Sequence, residues 1–340
     1  MTGALLRLTR PQILAFRRRA GALDERLPRG QDSLRRAVWA GLQDSVPRAA
    51  LLSIHARVAG TEPSTWEDPS LVQLWGPRFV VFVVAARDLA VFSLGTLPDH
   101  AKGRRRAEDT AARLHTFLGG RRMTYGQAGH ELGVHPNSLR YAAATGTVLI
   151  RWDGARQAEI WTVPPPKVTP QDARLELARR YLRIYGPATP EAFTRWAGLG
   201  ARHGAAAFAA LGTSLTPVQT PVGDAWILAE DEPAVRAAPG PVAPARLLPS
   251  GDAYLLRHGA DRDLVVPDAA RRDELWPPRV WPGGLLVAGE IAGTWHRADT
   301  VITVRPWRPL SPAERDAATA EAESMPLPGA AGRIVVRWDG

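Results

Sequence analysis

A polar cluster, Gln43-Asp44-Ser45, separates two apolar runs in the first sixth of the chain, and Pro47 follows it closely. Polar groups between core-forming segments cost free energy unless they are paired, so the cluster needs an explanation. A carboxylate can accept a proton and stabilise positive charge, and an amide oxygen can orient a water molecule, whereas a serine hydroxyl is a weak acceptor without useful basicity. The cluster is therefore a candidate site for the activation of water.

The same cluster also has a structural interpretation, and the sequence leaves both open. Asp44 or Ser45 can cap a helix that begins near Pro47, and Gln43 can hydrogen bond to the end of the preceding helix. Adjacent helical residues point about 100° apart. The Asp44 carboxylate can therefore occupy the position of the neighbouring Ser45 side chain only in a non-helical turn. Pro47 makes such a turn possible, because it disfavours helix at Val46.

Other candidate sites are weaker. His55 follows within an apolar stretch, which is more typical of a core histidine than of a catalytic acid. His130 and His135 do not share a helical face, so no metal site is expected. No glycine-rich segment continues into the Lys-Ser/Thr of a phosphate-binding loop. The chain has no cysteine, which excludes disulfides, thiolate metal sites and cysteine nucleophiles.

Length and composition indicate a globular protein. The 340 residues exceed one typical domain, so two or three core-forming units are expected. Hydrophobic residues make up 45% of the chain and charged residues 23%, both of which are ordinary values. No apolar run approaches the ~18 residues of a membrane span, and the first residues lack the pattern of a secretion signal. We therefore expect a cytoplasmic protein that does not enter a membrane.

The net charge of +9 is unevenly distributed. Residues 1–36 carry nine arginines against three carboxylates, and residues 100–156 carry ten basic residues against four carboxylates. Two basic blocks on a mildly acidic background indicate a surface that binds a polyanion, with nucleic acid as the first candidate. A biased genome is the alternative, since lysine occurs only at Lys102 and Lys167, but it explains the clustering less well.

Residues 8–97 combine helices with a β-rich end. Three helical patterns, TRPQILAFRRRAGAL, SLRRAVWAGLQ and PRAALLSIHARV, precede the segment RFVVFVVAARDLAVFSL. In that segment two β-rich runs flank Ala86-Arg87-Asp88, which predicts a hairpin with a short turn. Helices followed by a hairpin are typical of a DNA-binding unit with a wing.

Residues 104–163 repeat this order more clearly. RRRAEDTAARLHTFLGG predicts a helix that ends at Gly119-Gly120, and TYGQAGHELG predicts a short helix that ends at Gly133. HPNSLRYAAATG predicts a further helix, capped by Asn137 or Ser138 and ended by Gly146.

The end of this block completes a winged-helix order. TVLIRWDGARQAEIWTV predicts two strands about Asp153-Gly154. In helix–turn–helix units the second helix of the motif enters the major groove, and here that helix carries Arg140 and Tyr141. Trp152, at the tip of the wing, can stack or wedge near DNA, although packing within the strand is the alternative.

Residues 171–230 follow the same plan a third time, after the stiff linker PPPKVTP. Thr169 is expected to cap the first helix. The next helix starts with another Thr-Pro and stops at Gly198 or Gly200, and HGAAAFAALG is a short helix. Two strands are expected around Gly223-Asp224.

The last part of the chain is mostly β in pattern. After a second linker at residues 231–245, strands are expected in YLLRHG, GGLLVAGEIAGTWHR and TVITVRPW. SPAERDAATAEAESM predicts an exposed helix that begins with a capping box of Ser311 and Glu314. The tail GRIVVRWDG can add an edge strand.

Stretches from every block resemble the AlkZ/YcaQ family of winged-helix DNA glycosylases. The matching stretches are GLQDSVPRAALLSIHARV, LRYAAATGTVLIRWDGARQAEIW, RYLRIYGPATPEAFTRWAGL, RLLPSGDAYLLRHGADRDLVVP and GGLLVAGEIAGTWHR. The resemblance implies an α+β fold of three tandem winged-helix units plus a C-terminal mainly β domain, in a C-shaped molecule whose concave basic surface holds duplex DNA. The units are expected at residues 1–98, 99–166, 167–235 and 236–340.

The opening cluster coincides with the catalytic pattern of that family, which is Gln, any residue, then Gln or Asp just before Pro. Gln43 matches the first position, Asp44 holds the middle position, and Ser45 stands where the second Gln or Asp belongs. Characterised relatives excise alkylated purines or unhook interstrand crosslinks by hydrolysing the N-glycosidic bond. The resemblance thus implies a monofunctional alkylpurine DNA glycosylase. Because Ser45 departs from the pattern, a catalytically inactive DNA-binding protein, acting as a lesion sensor or regulator, is the alternative.

The expected partner is double-stranded DNA, held by side chains of the second block. The residues expected to contact DNA are Arg104, Arg105, Arg106, Arg121, Arg122, Asn137, Arg140, Tyr141, Trp152 and Arg156. No cofactor and no metal are expected. We expect a monomer in the cytoplasm, associated with a bacterial nucleoid.

Overall fold

The structure is a computed structural model that describes residues 5–46, 48–154, 156–328 and 332–339. The described α-helices are α1 (Arg10–Ala20), α2 (Gln31–Ala37), α3 (Ala49–His55), α4 (Leu89–Ser93), α5 (Ala101–Leu118), α6 (Tyr125–Glu131), α7 (Pro170–Tyr185), α8 (Pro190–Ala197), α9 (Ala201–Leu211), α10 (Glu232–Arg236), α11 (Asp261–Val265), α12 (Ala269–Leu275) and α13 (Pro312–Glu323). The described strands are β1 (Leu6–Arg7), β2 (Leu42–Gln43), β3 (Leu71–Trp75), β4 (Val81–Ala85), β5 (Met123–Thr124), β6 (Val148–Arg151), β7 (Glu159–Thr162), β8 (Leu215–Thr220), β9 (Gly223–Leu228), β10 (Ala245–Leu248), β11 (Gly283–Val287), β12 (Glu290–Ala298), β13 (Val301–Pro306) and β14 (Val335–Trp338). The fold is therefore a mixture of helix and sheet.

Strands from the first two predicted units form one six-stranded sheet. Its order is β2-β4-β3-β6-β7-β5. β4 pairs antiparallel with both β2 and β3, and β3 meets β6 where Gln73 lies opposite Ile150. The β6–β7 pair confirms the two strands predicted about Asp153-Gly154. This order places β2, which carries Gln43, at one edge of the sheet.

The hairpin predicted around Ala86-Arg87-Asp88 is wrong. β4 pairs with β3 instead, and the run after Asp88 forms α4. The buried carboxylate of Asp88 accepts hydrogen bonds from Arg35 at 3.0 and 3.1 Å and from Arg180 at 2.9 Å. These bonds tie the end of β4 to α2 and α7. The chain therefore turns there, and the apolar run that follows packs on the core as a helix, with Phe92 fully buried.

Several predicted helix ends are confirmed. α5 ends at Gly119, which is in the left-handed conformation that glycine favours. α7 is capped by Thr169, whose hydroxyl accepts the N–H of Asp172 at 3.1 Å. α8 ends at Gly198 rather than at Gly200.

The segment HPNSLRYAAATG differs from its prediction. Pro136–Thr145 forms a 3-10 helix, and its N-cap is His135, whose Nδ1 accepts the N–H of Asn137 at 3.2 Å. The predicted caps, Asn137 and Ser138, are thus wrong, because Pro136 occupies the first helical position and moves the cap to the residue before it. The predicted end at Gly146 is confirmed.

β8 and β9 form the hairpin expected in the third unit, with Gly223 beginning the second strand. β1 pairs parallel with β8, where Leu6 lies opposite Val218. The first described residues of the chain therefore lie against the third predicted unit. The domain boundaries remain predictions.

The remaining strands form a five-stranded sheet in the order β10-β11-β12-β13-β14. The expected edge strand is present as β14, which pairs parallel with β13. α13 begins with the predicted capping box of Ser311 and Glu314. Its predicted exposure is wrong on one face, because Ala318, Glu321 and Ala322 are buried, in part against the sheet.

Two other predictions for this part of the chain need correction. YLLRHG is not a strand: residues 254–259 run as turns and irregular structure. Asp252 organises these turns, since its carboxylate accepts the N–H of Tyr254 at 2.8 Å. The second linker is shorter than predicted, because α10 lies within residues 231–245.

Candidate active site

Gln43, Asp44 and Ser45 lie where β2 ends and the chain turns toward α3. The corner is therefore helix–strand–helix, and the interpretation of Gln43 as the end of a helix is wrong. The Asp44 N–H donates to the carbonyl of Val81 on β4 at 2.8 Å. Arg48 then has a φ of 65°, in the left-handed region, directly before α3. The non-helical backbone lets the three side chains point in different directions.

The Gln43 side chain is held at both ends. Its Oε1 accepts a hydrogen bond from Arg78 Nη2 at 3.0 Å, and its Nε2 donates to Ser45 Oγ at 2.6 Å. Gly251 packs against this amide, and a Cβ at that position would lie 3.2 Å from Gln43 Nε2. The amide thus has one fixed orientation in a half-buried position.

The Asp44 side chain points into the protein and is 1% exposed. Its Oδ1 accepts the N–H of Ala50, in the first turn of α3, at 3.0 Å, and its Oδ2 accepts from Gln73 Nε2 at 2.8 Å. Burial raises the pKa of this carboxyl to about 6, although these hydrogen bonds and the charge of Arg48 oppose the rise. The interpretation of Asp44 as a cap for the helix is confirmed.

Ser45 is the exposed member of the cluster. It makes no capping hydrogen bond to α3, whose N-cap residue is Arg48, so the interpretation of Ser45 as a cap is wrong. Its hydroxyl oxygen instead accepts from Gln43. Pro47, the last residue of the motif, lies outside the described residues.

The substitution Asp44→Asn tests the buried carboxyl. Because folding raises the pKa of Asp44, the folded state binds more protons than the unfolded state between about pH 4 and pH 6. The stability that the neutral carboxyl contributes is present below pH 4 and is lost as the pH rises through 6. Wild type should therefore lose up to about 3 kcal/mol relative to the Asn variant between pH 4 and pH 7. Denaturant unfolding of both proteins across that range measures the difference, and a constant difference would contradict the assignment.

The predicted DNA-contacting arginines around α5 fall into two groups. Arg104, Arg105 and Arg106 lie in its first two turns, whereas Arg121 and Arg122 follow its last residue. The length of α5 separates the groups by roughly 25 Å. They therefore do not form a single cluster.

The first group is only partly free. Arg104 Nη2 lies 3.6 Å from a carboxylate oxygen of Asp99. The guanidinium of Arg106 lies 3.6 Å from the ring centre of Tyr141, and Tyr141 meets Phe79 edge to face at 5.0 Å between ring centres. Arg105 is exposed. The structure thus brings Arg106 and Tyr141 together beside the β3–β4 turn.

The second group divides as well. Arg121 donates to the carbonyls of Phe117 at 2.8 Å and Leu118 at 3.1 Å, so it closes the C-terminal end of α5. Arg122 lies over the ring of Trp161, with its guanidinium carbon 4.1 Å from the ring centre. Arg122 is thereby placed on the face of the six-stranded sheet.

The other predicted DNA contacts lie on the 3-10 helix Pro136–Thr145 and between the strands β6 and β7. Asn137 and Arg156 are exposed. Arg140 is half-buried, with its guanidinium carbon 5.8 Å from the ring centre of Trp75. The backbone N–H of Trp152 donates to Gln73 Oε1 at 2.7 Å, so the same amide that binds Asp44 also binds the chain directly after β6.

Sequence reasoning missed Arg78, which orients Gln43. Arg78 and Phe79 have φ angles of 58° and 57° in the turn between β3 and β4. The Arg78 Nη1 also donates to the carbonyl of Trp196 at the end of α8. Gly-Pro before Arg78 marks a turn, but no local pattern indicates which side chains that turn contacts.

The candidate histidine near the cluster is a core residue. His55 is 7% exposed, and its Nε2 lies 3.1 Å from Ser324 Oγ. Burial lowers the pKa of His55 to about 3. Among the described residues, no group of three or more His, Cys, Asp or Glu side chains could hold a metal ion. None of the described helices is both long enough and apolar enough to cross a membrane.

Known proteins resemble this chain in structure and in sequence. The solved structure of Streptomyces sahachiroi DNA glycosylase AlkZ superposes with a TM-score of 0.80 over 98% of this chain and 100% of that chain, at 20% identity, which shows a shared fold. An interstrand DNA cross-link repair glycosylase of Streptomyces sahachiroi is 31% identical over 158 residues, which span 44% of this chain and only 42% of that relative. The family model described as DNA glycosylase AlkZ-like matches residues 34–326. The chain belongs to the AlkZ-like DNA glycosylase family.

Proposed function

We propose that this protein is a monofunctional DNA glycosylase that binds duplex DNA and hydrolyses the N-glycosidic bond of alkylated purines. The proposal includes the finer architecture expected from the sequence, with three tandem winged-helix units and a C-terminal β domain in a C shape around the duplex. It also includes a cofactor-free monomer in the cytoplasm, associated with the nucleoid of a bacterium.

The observation that carries the proposal is the fixed Gln43 amide. An amide oxygen has two lone pairs, and Arg78 uses one of those on Gln43 Oε1. The second lone pair can accept from a water molecule, and the exposed Ser45 hydroxyl can donate to the same water. A positioned water needs few further groups when the leaving base is already cationic.

The proposed reaction has a simple balance. The bond between the anomeric carbon and the purine nitrogen breaks, and its electron pair neutralises the cationic base. The water oxygen bonds to the anomeric carbon of the oxocarbenium-like sugar and releases its proton to solvent. The dipoles of Gln43 and Ser45 stabilise and orient, because neither group is a useful base. Asp44 acts behind them, as the buried cap that fixes the turn.

A second candidate function is lesion binding without hydrolysis. Two observations favour it: Ser45 occupies the position of the second Gln or Asp, and the Asp44 carboxylate is committed to Ala50 and Gln73. Such a protein would bind DNA through the same surface and would act as a sensor or regulator.

Base release and salt-dependent binding separate these functions. Duplex containing N7-methylguanine is incubated with excess protein and then heated in alkali, and affinity for undamaged duplex is measured across a salt series. Strand breaks above the uncatalysed control are expected, with affinity that falls steeply as salt rises. Steep salt dependence without breaks would support the second function, and weak, salt-independent binding would contradict both.

A further inference from the structure

Two arginines outside the predicted DNA-contacting set lie against Trp66, a residue of the 3-10 helix Pro63–Glu67. The guanidinium carbon of Arg48 is 3.7 Å from the ring centre, and that of Arg151 is 3.5 Å from it. Both arginines therefore contact the same indole, which is itself only 8% exposed.

Backbone carbonyls hold both arginines in place. Arg48 Nη1 donates to the carbonyl of Trp152 at 3.1 Å, and Arg151 Nη1 lies 3.4 Å from the carbonyl of Trp66. Arg122, stacked on Trp161, continues the series on the neighbouring strand, since Arg151 is on β6 and Trp161 on β7. We call Arg48, Arg151 and Arg122 with their two indoles the arginine–indole row.

The row brings like charges together. Burial and the positive charges of Arg48 and Arg122 all act to lower the pKa of Arg151. Carboxylates have the opposite effect. Asp44, which is buried and hydrogen bonded elsewhere, and Asp153 both raise the pKa of Arg48. Glu67 lies 4.0 Å from Arg151 and has a side chain that is 71% exposed, so this pair is weak and open to exchange for another anion.

The row is also rigid before any ligand arrives. An unrestrained arginine loses rotamer entropy when it is fixed, but Arg48 and Arg151 are already held by Trp66 and by backbone carbonyls. Arg122 is held by its stacking on Trp161. Preorganisation of this kind increases the net affinity for a ligand that matches the geometry. Two cations held against the same indole can contact neighbouring phosphates along one nucleic-acid strand, which carries a negative charge at every nucleotide.

We propose that the arginine–indole row binds neighbouring backbone phosphates of the DNA strand that carries the damaged base. Arg48 follows Ser45 by three residues. The positive charges of Arg48 and Arg151 both favour the ionised form of Asp44, the residue next to Ser45. A strand held by the row would therefore present the adjacent sugar to Gln43 and Ser45. This inference rests on the proposed function and adds the position of the strand.

Charge-neutralising variants test the row. Arg48→Gln and Arg151→Gln should each weaken binding to any duplex by about tenfold and lower the slope of log affinity against log salt by about 0.9. The matched control is Arg315→Gln, because Arg315 also lies over a tryptophan, 4.6 Å from the ring centre of Trp338, but beside the C-terminal sheet. The control should keep the wild-type affinity and slope.

A second measurement changes the DNA instead, so its first comparison needs only the wild-type protein. Single phosphates on either side of an N7-methylguanine are replaced by neutral methylphosphonates. Wild type should bind about tenfold more weakly when a phosphate beside the lesion is neutralised, and the same replacement should cost Arg151→Gln much less.

The outcomes are distinct. Equal losses in Arg315→Gln and Arg151→Gln, or no sensitive phosphate near the lesion, would overturn the proposed row. Duplex binding with a sensitive phosphate but without base release would keep the row and remove the hydrolytic function. Base release without a sensitive phosphate would keep the hydrolytic function and remove the row.

Discussion

Asp252→Ala is expected to lower the free energy of unfolding by about 3–5 kcal/mol. The Asp252 carboxylate is buried and accepts from both terminal nitrogens of Arg57, at 2.7 and 2.8 Å, and from Ser53 Oγ at 2.6 Å. Its removal leaves the Arg57 guanidinium buried without its counter-charge. Because Gly251 packs on Gln43, the same change should also disturb the amide at the candidate site.

Chemical denaturation of the variant and of a matched control measures this effect. The control is Glu323→Ala, since Glu323 pairs with the exposed Arg333 at 2.7 Å. Loss of a surface pair typically costs less than about 1 kcal/mol. If Asp252→Ala cost no more stability than Glu323→Ala, the buried Asp252–Arg57 pair would not hold α3 to the C-terminal region.

Gln43→Ala should slow base release by about 100-fold while duplex affinity changes by less than about threefold. The amide is half-buried and contacts Arg78 and Ser45. Its loss therefore removes a group that orients water, whereas the arginines that can bind phosphate remain. Single-turnover release from N7-methylguanine duplex gives the rate, and a binding titration on the same duplex gives the affinity.

Gln171→Ala is the matched control for this change, because Gln171 is exposed near the start of α7. It should keep both the rate and the affinity of wild type. An equal loss of rate and affinity in Gln43→Ala would mean that Gln43 only supports the fold of the corner.

The sequence predicted the parts of the fold that depend on local chemistry. Threonine before proline caps α7 and α8, glycine ends α5 and α8, and the Ser311–Glu314 capping box begins α13. The strand pair β6–β7 about Asp153-Gly154 followed from its strand pattern and turn residues. In each case the residues that determine the element lie within a few positions of it.

Long-range contacts determine what the sequence did not predict. The run after β4 has a β-rich composition, and it becomes α4 because Arg35 and Arg180 bind Asp88 from other helices. Arg78 and Phe79 adopt left-handed backbone conformations that a local pattern does not predict for these residue types.

The candidate site shows the same division. Gln43 and Asp44 were identified from their types, and Pro47 made a non-helical turn possible. The partners that fix them, Arg78 and Gln73, come from the strand pair β3–β4 and its turn, thirty or so residues later. Their roles depend on strand register, which the sequence alone did not establish.

In the proposed complex, the Gln43–Ser45 pair faces the sugar of the damaged nucleotide. The most direct measurement is a crystal structure of the protein on duplex DNA with a stable abasic-site analogue in place of the damaged nucleotide. The anomeric position of the analogue should lie opposite Gln43 Oε1 and Ser45 Oγ, with one water between them. An analogue bound elsewhere, with the Gln43–Ser45 pair away from the DNA, would contradict it.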